Sequence, residues 1–152
     1  MLDAIGGNIR VGKSEYFVTE ACEYTNSYHA FKPFISIILN VDADHLDFFK
    51  DIDEIAESFH VFATKTPKEG LVIVNGDMKY YDTVVRDLEC RVVTFGKGAQ
   101  NKYSAHNIRF DDFGHPTYTL VVDGKEITDI TLKVFGEHNV YNSLSAIAAS
   151  LE

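Results

Sequence analysis

Three short clusters hold residues whose types and spacing could do chemistry. Glu20-Ala-Cys-Glu23 follows an apolar run. A carboxylate at the end of a strand can reach a metal ion or a metal-bound phosphate; the alternative is a solvated pair of glutamates in a loop. Asn40-Val-Asp-Ala-Asp-His-Leu-Asp47 packs three aspartates and a histidine into six residues. Carboxylate oxygens suit a hard cation such as magnesium. Alternatively, Asp44 or Asp47 caps a helical turn and His45 is simply exposed. Gly136-Glu-His-Asn-Val-Tyr-Asn142 enters a helical stretch. His138 and Asn142, four apart, share a helical face. An asparagine amide offers both a donor and an acceptor, which matches the amine and ring nitrogen of adenine. The competing reading makes Asn139 the helix cap. His29, His60, His106 and His115 have no partners at useful spacing, and His60 reads as part of a helix face. Gly6-Gly7 is too small a signal to mark a phosphate loop, and no GxxxxGK(S/T) motif is read anywhere in the chain.

These clusters need elements to hold them. Glu15–Glu20 reads as a short buried strand, and Phe34–Val41 as a β-branched strand covered on both faces. Asp51–Thr64 is helical, with Ile52, Ile55, Ala56, Phe59 and Ala63 on one face. Leu71–Asn75 and Arg91–Phe95 are further strands, separated by a helix over Tyr80–Leu88. Strands alternating with helices imply a parallel sheet with right-handed crossovers. After Gly98 come three strand-like runs, the last two joined by a hairpin at Asp123-Gly124. They predict a small antiparallel β subdomain, and Val140–Leu151 closes the chain as a helix. The fold class is α/β, a mostly parallel sheet flanked by helices. Such a sheet binds ligands beyond the carboxyl ends of its strands, where the first two clusters would lie.

The 152 residues suit one domain with a real core. The net charge of −9 opposes contact with a phosphodiester backbone, so nucleic acid is not expected as a partner. No apolar run approaches the ~20 residues that span a bilayer, so no membrane contact is expected. The start lacks the features of a signal peptide, and Cys22 and Cys90 stand in no metal-ligand spacing. A cytoplasmic protein with two reduced thiols is the expectation.

In this order and context the clusters resemble the Mur ligases of peptidoglycan synthesis, over essentially the whole chain. YFVTEACEY at Tyr16–Tyr24, NVDADHLDFF at Asn40–Phe49 and GEHNVYNSLSAIAA at Gly136–Ala149 carry the resemblance. The EACEY form, with GGNIRVG before it, is most similar to the member that joins L-alanine to UDP-N-acetylmuramate. The resemblance implies a phosphate-loop NTPase-like central domain over residues 1–152. It also implies a fragment, lacking the GTHGKT loop that normally opens that domain, the N-terminal UDP-binding domain and the C-terminal domain. By the same resemblance Glu20 binds magnesium at the phosphates of ATP, His45 contacts a second magnesium, and His138 and Asn142 lie against adenine. Asn40 matches an asparagine near the active site. Members that add later residues carry a carbamylated lysine on the helix after the DH motif. Here Ser58, Phe59 and His60 occupy that neighbourhood.

The implied chemistry is carboxylate activation by ATP through an acyl phosphate, which L-alanine then attacks. The fragment alone is expected to be inactive. A murein tripeptide recycling ligase of the same family, a non-catalytic nucleotide-binding module and a small metal-dependent hydrolase using Glu20, Asp44 and His45 are the rival readings.

Overall fold

The computed structural model describes residues 6–152. Six strands form one sheet in the order β1 to β6: β1 (Ile35–Ile38), β2 (Leu71–Asn75), β3 (Arg91–Gly96), β4 (Tyr103–Phe110), β5 (Pro116–Val122) and β6 (Lys125–Thr131). The pairings β1–β2, β2–β3 and β3–β4 are parallel, and β4–β5 and β5–β6 are antiparallel. Three helices flank the sheet: α1 (Ile52–Ala63), α2 (Tyr81–Val85) and α3 (His138–Leu151).

The sheet separates two cores. Side chains alternate along a strand, so Val72 and Val74 of β2 face one way and Leu71 and Ile73 the other. The first pair packs with Ile55, Ala56 and Phe62 of α1 and Val84 of α2. The second packs with Val93 and Phe95 of β3, Tyr118 of β5, and Val140, Leu144 and Ala148 of α3. Asp51 caps α1 by accepting from Glu54 N at 3.0 Å.

β3 and β4 meet only at Phe95–Tyr103 and Gly96–Ser104. β4 therefore starts level with the end of β3 and runs on beyond it. The short 97–102 connection suffices because the chain need not return to the start of the sheet. The antiparallel strands thus continue the same sheet past the carboxyl edge of its parallel half.

Two expectations change. Glu15–Glu20 forms no strand, and Tyr16, Phe17 and Val18 are exposed. A β-prone run becomes a strand only against a partner ladder, and among the described residues none lies beside it. β1 is shorter than read and is covered on one face only: Ser36 and Ile38 are each 1% exposed, whereas Ile35 and Ile37 are 36% and 41% exposed.

Candidate functional site

His45 sits at the centre of a first cluster. Its backbone is left-handed, with φ 53°, and its carbonyl accepts from Phe48 N at 2.9 Å and Phe49 N at 3.0 Å. Phe49, buried in the α1 core, anchors this turn just beyond the carboxyl end of β1. Glu23 reaches His45 Nε2 at 3.1 Å, and Asp44 lies 3.8 Å from Nδ1. Tyr24 lies against the imidazole with ring centroids 4.7 Å apart and the planes tilted by 35°, and it donates its hydroxyl to Asp47 at 3.0 Å. That hydrogen bond to a carboxylate raises the Tyr24 pKa.

Ligand atoms of Glu23, Asp44 and His45 all lie within 4.8 Å of one another, the only such group among the described residues. Two carboxylates fit a hard divalent cation, and one imidazole is compatible with it. Glu20 is exposed and is not in this group, so the carboxylate brought to His45 is Glu23. Asn40 is exposed two residues beyond β1.

A second cluster lies at the start of α3, the helix packed on the other face of the sheet from α1. Gly136 takes φ +96°, which favours glycine, and a Cβ there would stand 2.6 Å from the His138 ring. His138 and Asn142 are both exposed on the first turns of α3. Asn139 links them: its amide donates to His138 Nε2 at 3.1 Å, and its carbonyl oxygen accepts from Asn142 at 3.3 Å. Asn139 lies inside the helix and does not cap it.

Lys97, directly after β3, ties this end to the sheet's carboxyl edge through Glu137 at 3.5 Å. Glu137 also accepts from the Tyr141 hydroxyl at 2.9 Å, and that bond, with the Lys97 charge, lowers its pKa. Burial, then Glu137, pushes Tyr141 up to about 12. The Asp77 carboxylate collects the backbone N–H groups of Lys97 and Gly98 and the side-chain amides of Gln100 and Asn101, which fixes the loop carrying Lys97. Asp77 lies 20 to 24 residues from the groups it holds, a separation that leaves no local signal.

Three histidines read as partnerless have partners. His29 bonds Ser58, His60 meets the Val84 carbonyl at 3.2 Å, and His115 pairs with Asp111 at 3.0 Å. Residues 7–14 do carry the phosphate-loop spacing, as Gly7, Gly12, Lys13 and Ser14, which corrects the expectation that no GxxxxGK(S/T) motif is present. The motif works when its last residues open a helix whose N–H groups face the phosphates. Here residues 13–15 form a bend, residues 16–23 are not helical, and Lys13 and Ser14 are exposed.

The family described as Mur ligase middle domain matches residues 6–150. This chain belongs to the Mur ligases. It is 53% identical over 151 residues to UDP-N-acetylmuramate–L-alanine ligase of Lachnospira eligens, covering 99% of this chain and 33% of that one. It is 49% identical over 149 residues to the ligase of the same name from Alkaliphilus metalliredigens, covering 98% and 32%. The chain thus spans about a third of the length of these Mur ligase relatives. A solved Neisseria meningitides UDP-N-acetylmuramate:L-alanyl-gamma-D-glutamyl-meso-diaminopimelate ligase superposes with TM-score 0.69 at 26% identity, over 82% of this chain and 37% of that one. The Thermotoga maritima UDP-N-acetylmuramate–alanine ligase gives 0.65 at 24% identity, over 82% and 26%. No helix among the described residues is long and apolar enough to cross a membrane.

Proposed function

We propose that this chain is the nucleotide-binding middle part of a cytoplasmic, ATP-dependent ligase that joins L-alanine to UDP-N-acetylmuramate. The 53% identity with the Lachnospira eligens ligase carries this reading. The absence of lysine at Ser58, Phe59 and His60 supports the L-alanine-adding branch over those that act later. Residues 1–152 serve as the ATP-binding domain, and the UDP-sugar and closing domains lie in other parts of the enzyme.

In the reaction, the substrate carboxylate takes the γ-phosphoryl group of ATP to give an acyl phosphate. The amine of L-alanine then attacks the acyl carbon, and phosphate leaves. Catalysis of this type is mostly positioning and charge neutralisation. His138 and Asn142 receive adenine, with the Asn142 amide offering a donor and an acceptor. Glu23, Asp44 and His45 hold Mg2+, with Glu20 and Asn40 completing that end. Bound magnesium supplies neutralisation of the phosphate charge. The two ends lie beyond β1 and at the start of α3, which packs on the other face of the sheet from α1.

A chimera tests the assignment. In the Lachnospira eligens ligase, the matching third is replaced by this chain, and ADP formation is measured with UDP-N-acetylmuramate and L-alanine. L-alanine-dependent turnover is expected. A folded chimera that is silent with L-alanine, or that turns over only with the murein tripeptide, overturns the reading. The chain by itself is expected to bind Mg-ATP no more tightly than roughly millimolar. Its Lys13 and Ser14 do not open a helix, and its charge of −9 opposes a polyanion. Micromolar binding by calorimetry would contradict this.

A further inference from the structure

The turn that brings Glu23 to His45 is strained. Thr25 and Asn26 are consecutive non-glycine residues in the left-handed region, at φ 54° and 58°. A β-branched residue there is a genuine outlier and persists only when its surroundings over-determine it. The restraint comes from α1. Ser58, 7% exposed, bonds Asn26 Oδ1 through its hydroxyl, and the hydroxyl of Tyr28, a side chain 1% exposed, lies 2.8 Å from Ser58 Oγ.

The proton arrangement is forced. Asn26 Oδ1 can only accept, so the Ser58 hydroxyl donates to it, and Tyr28 must donate to Ser58. The Ser58 carbonyl, 2.9 Å from His29 Nε2, also only accepts, so that nitrogen carries a proton. The hydroxyl is the only group here that accepts from Tyr28 and donates to Asn26. Tyr28 is itself fixed by stacking on Phe62 at 4.7 Å and on His29 at 4.7 Å. Asn26 N in turn bonds the Glu23 carbonyl at 2.9 Å. A continuous path therefore runs from the buried face of α1 to Glu23 and Tyr24, two of the side chains around His45.

We propose that Ser58 is a positioning residue: through Asn26 it holds the left-handed turn at Thr25–Asn26 and so presents Glu23 and Tyr24 to His45. Its consequence for metal binding rests on the functional reading above; the geometric part does not.

Nuclear magnetic resonance of the 152-residue chain separates the two. The Tyr24 ring, 4.7 Å from the His45 ring and tilted to it by 35°, displaces the imidazole proton resonances by its ring current. In Ser58→Ala the displacement is expected to collapse, and in Ser145→Ala, an equally buried serine on α3, it should persist. Adding Asn26→Gly to Ser58→Ala should restore much of it, because glycine takes this conformation without strain. Should Ser58→Ala fail to fold, Asn26→Ala cuts the same link from the half-exposed side and is expected to lose the displacement. A folded Ser58→Ala or Asn26→Ala with unmoved His45 resonances overturns the proposal. Titration with Mn2+ alone reads the metal assignment separately. Binding should broaden His45 in the parent chain and weaken about tenfold in Ser58→Ala. If the parent chain shows no broadening, the metal reading fails while the ring-current result still decides the role of Ser58.

Discussion

The two ends of the candidate site are built in opposite ways. At the α3 end, His138, Asn139 and Asn142 belong to one helix and bond to one another within four residues. Helical repetition puts them on one face, and burial of Val140, Leu144 and Ala148 turns that face to the edge. At the β1 end, Glu23 and His45 come from segments 22 residues apart. They meet through left-handed residues at 25, 26 and 45 and a buried serine–tyrosine contact. One end is positioned by periodicity, the other by tertiary restraint. The first should therefore fail when its helix undocks, and the second when individual polar contacts are lost.

The largest expected effect concerns the docking of α3. Leu144 is fully buried between α3 and the sheet, and Leu144→Ala should lower stability in urea unfolding by about 3 kcal/mol. A loss below about 1 kcal/mol would mean that apolar burial is not what presents His138 and Asn142.

Alkali probes the other end. Burial pushes Tyr28 from its ordinary 10.0 up to about 12. The folded value is the higher one, so the associated stability is complete below pH 10.0 and is lost as pH rises through about 12. Two units correspond to at most about 3 kcal/mol. Unfolding midpoints should fall steeply in that window, and Tyr28→Phe should remove part of the slope. An identical slope in the variant would place the alkaline sensitivity at Tyr103 and Tyr141, which also titrate at about 12.

The smallest structural effect belongs to Asn142→Ala. The side chain is exposed, so stability should stay within about 0.5 kcal/mol. In the chimeric ligase the same change should raise KM for ATP more than it lowers kcat, because an adenine contact is largely uniform binding. A fall in kcat at unchanged KM would remove Asn142 from the adenine role.

This contrast explains what was legible beforehand. β2, β3, α1 and α3 were readable because each has its own period and its own apolar face. Asp123-Gly124 announced its hairpin because that turn chemistry is local. The choice between Glu20 and Glu23 was not readable: both follow the same apolar run, and only the turn at Thr25–Asn26 decides which reaches His45. The Tyr16–Val18 run was misread as strand because β-propensity says nothing about whether a ladder is available. Ser58 drew notice only as the absence of a lysine, and its bond to Asn26 spans 32 residues.

The stagger between β3 and β4 has a mechanical side. Two residue pairs join the parallel and antiparallel halves of the sheet, the fewest of any pairing in it, so that seam has little ladder of its own. α3 packs against β3, β4 and β5 across the seam and acts as its splint. The splint carries His138 and Asn142 at its exposed end, so a ligand held there would be expected to stiffen the seam. Backbone amides on both sides of the seam should then exchange with solvent more slowly when that end is occupied, although none of them touches the ligand.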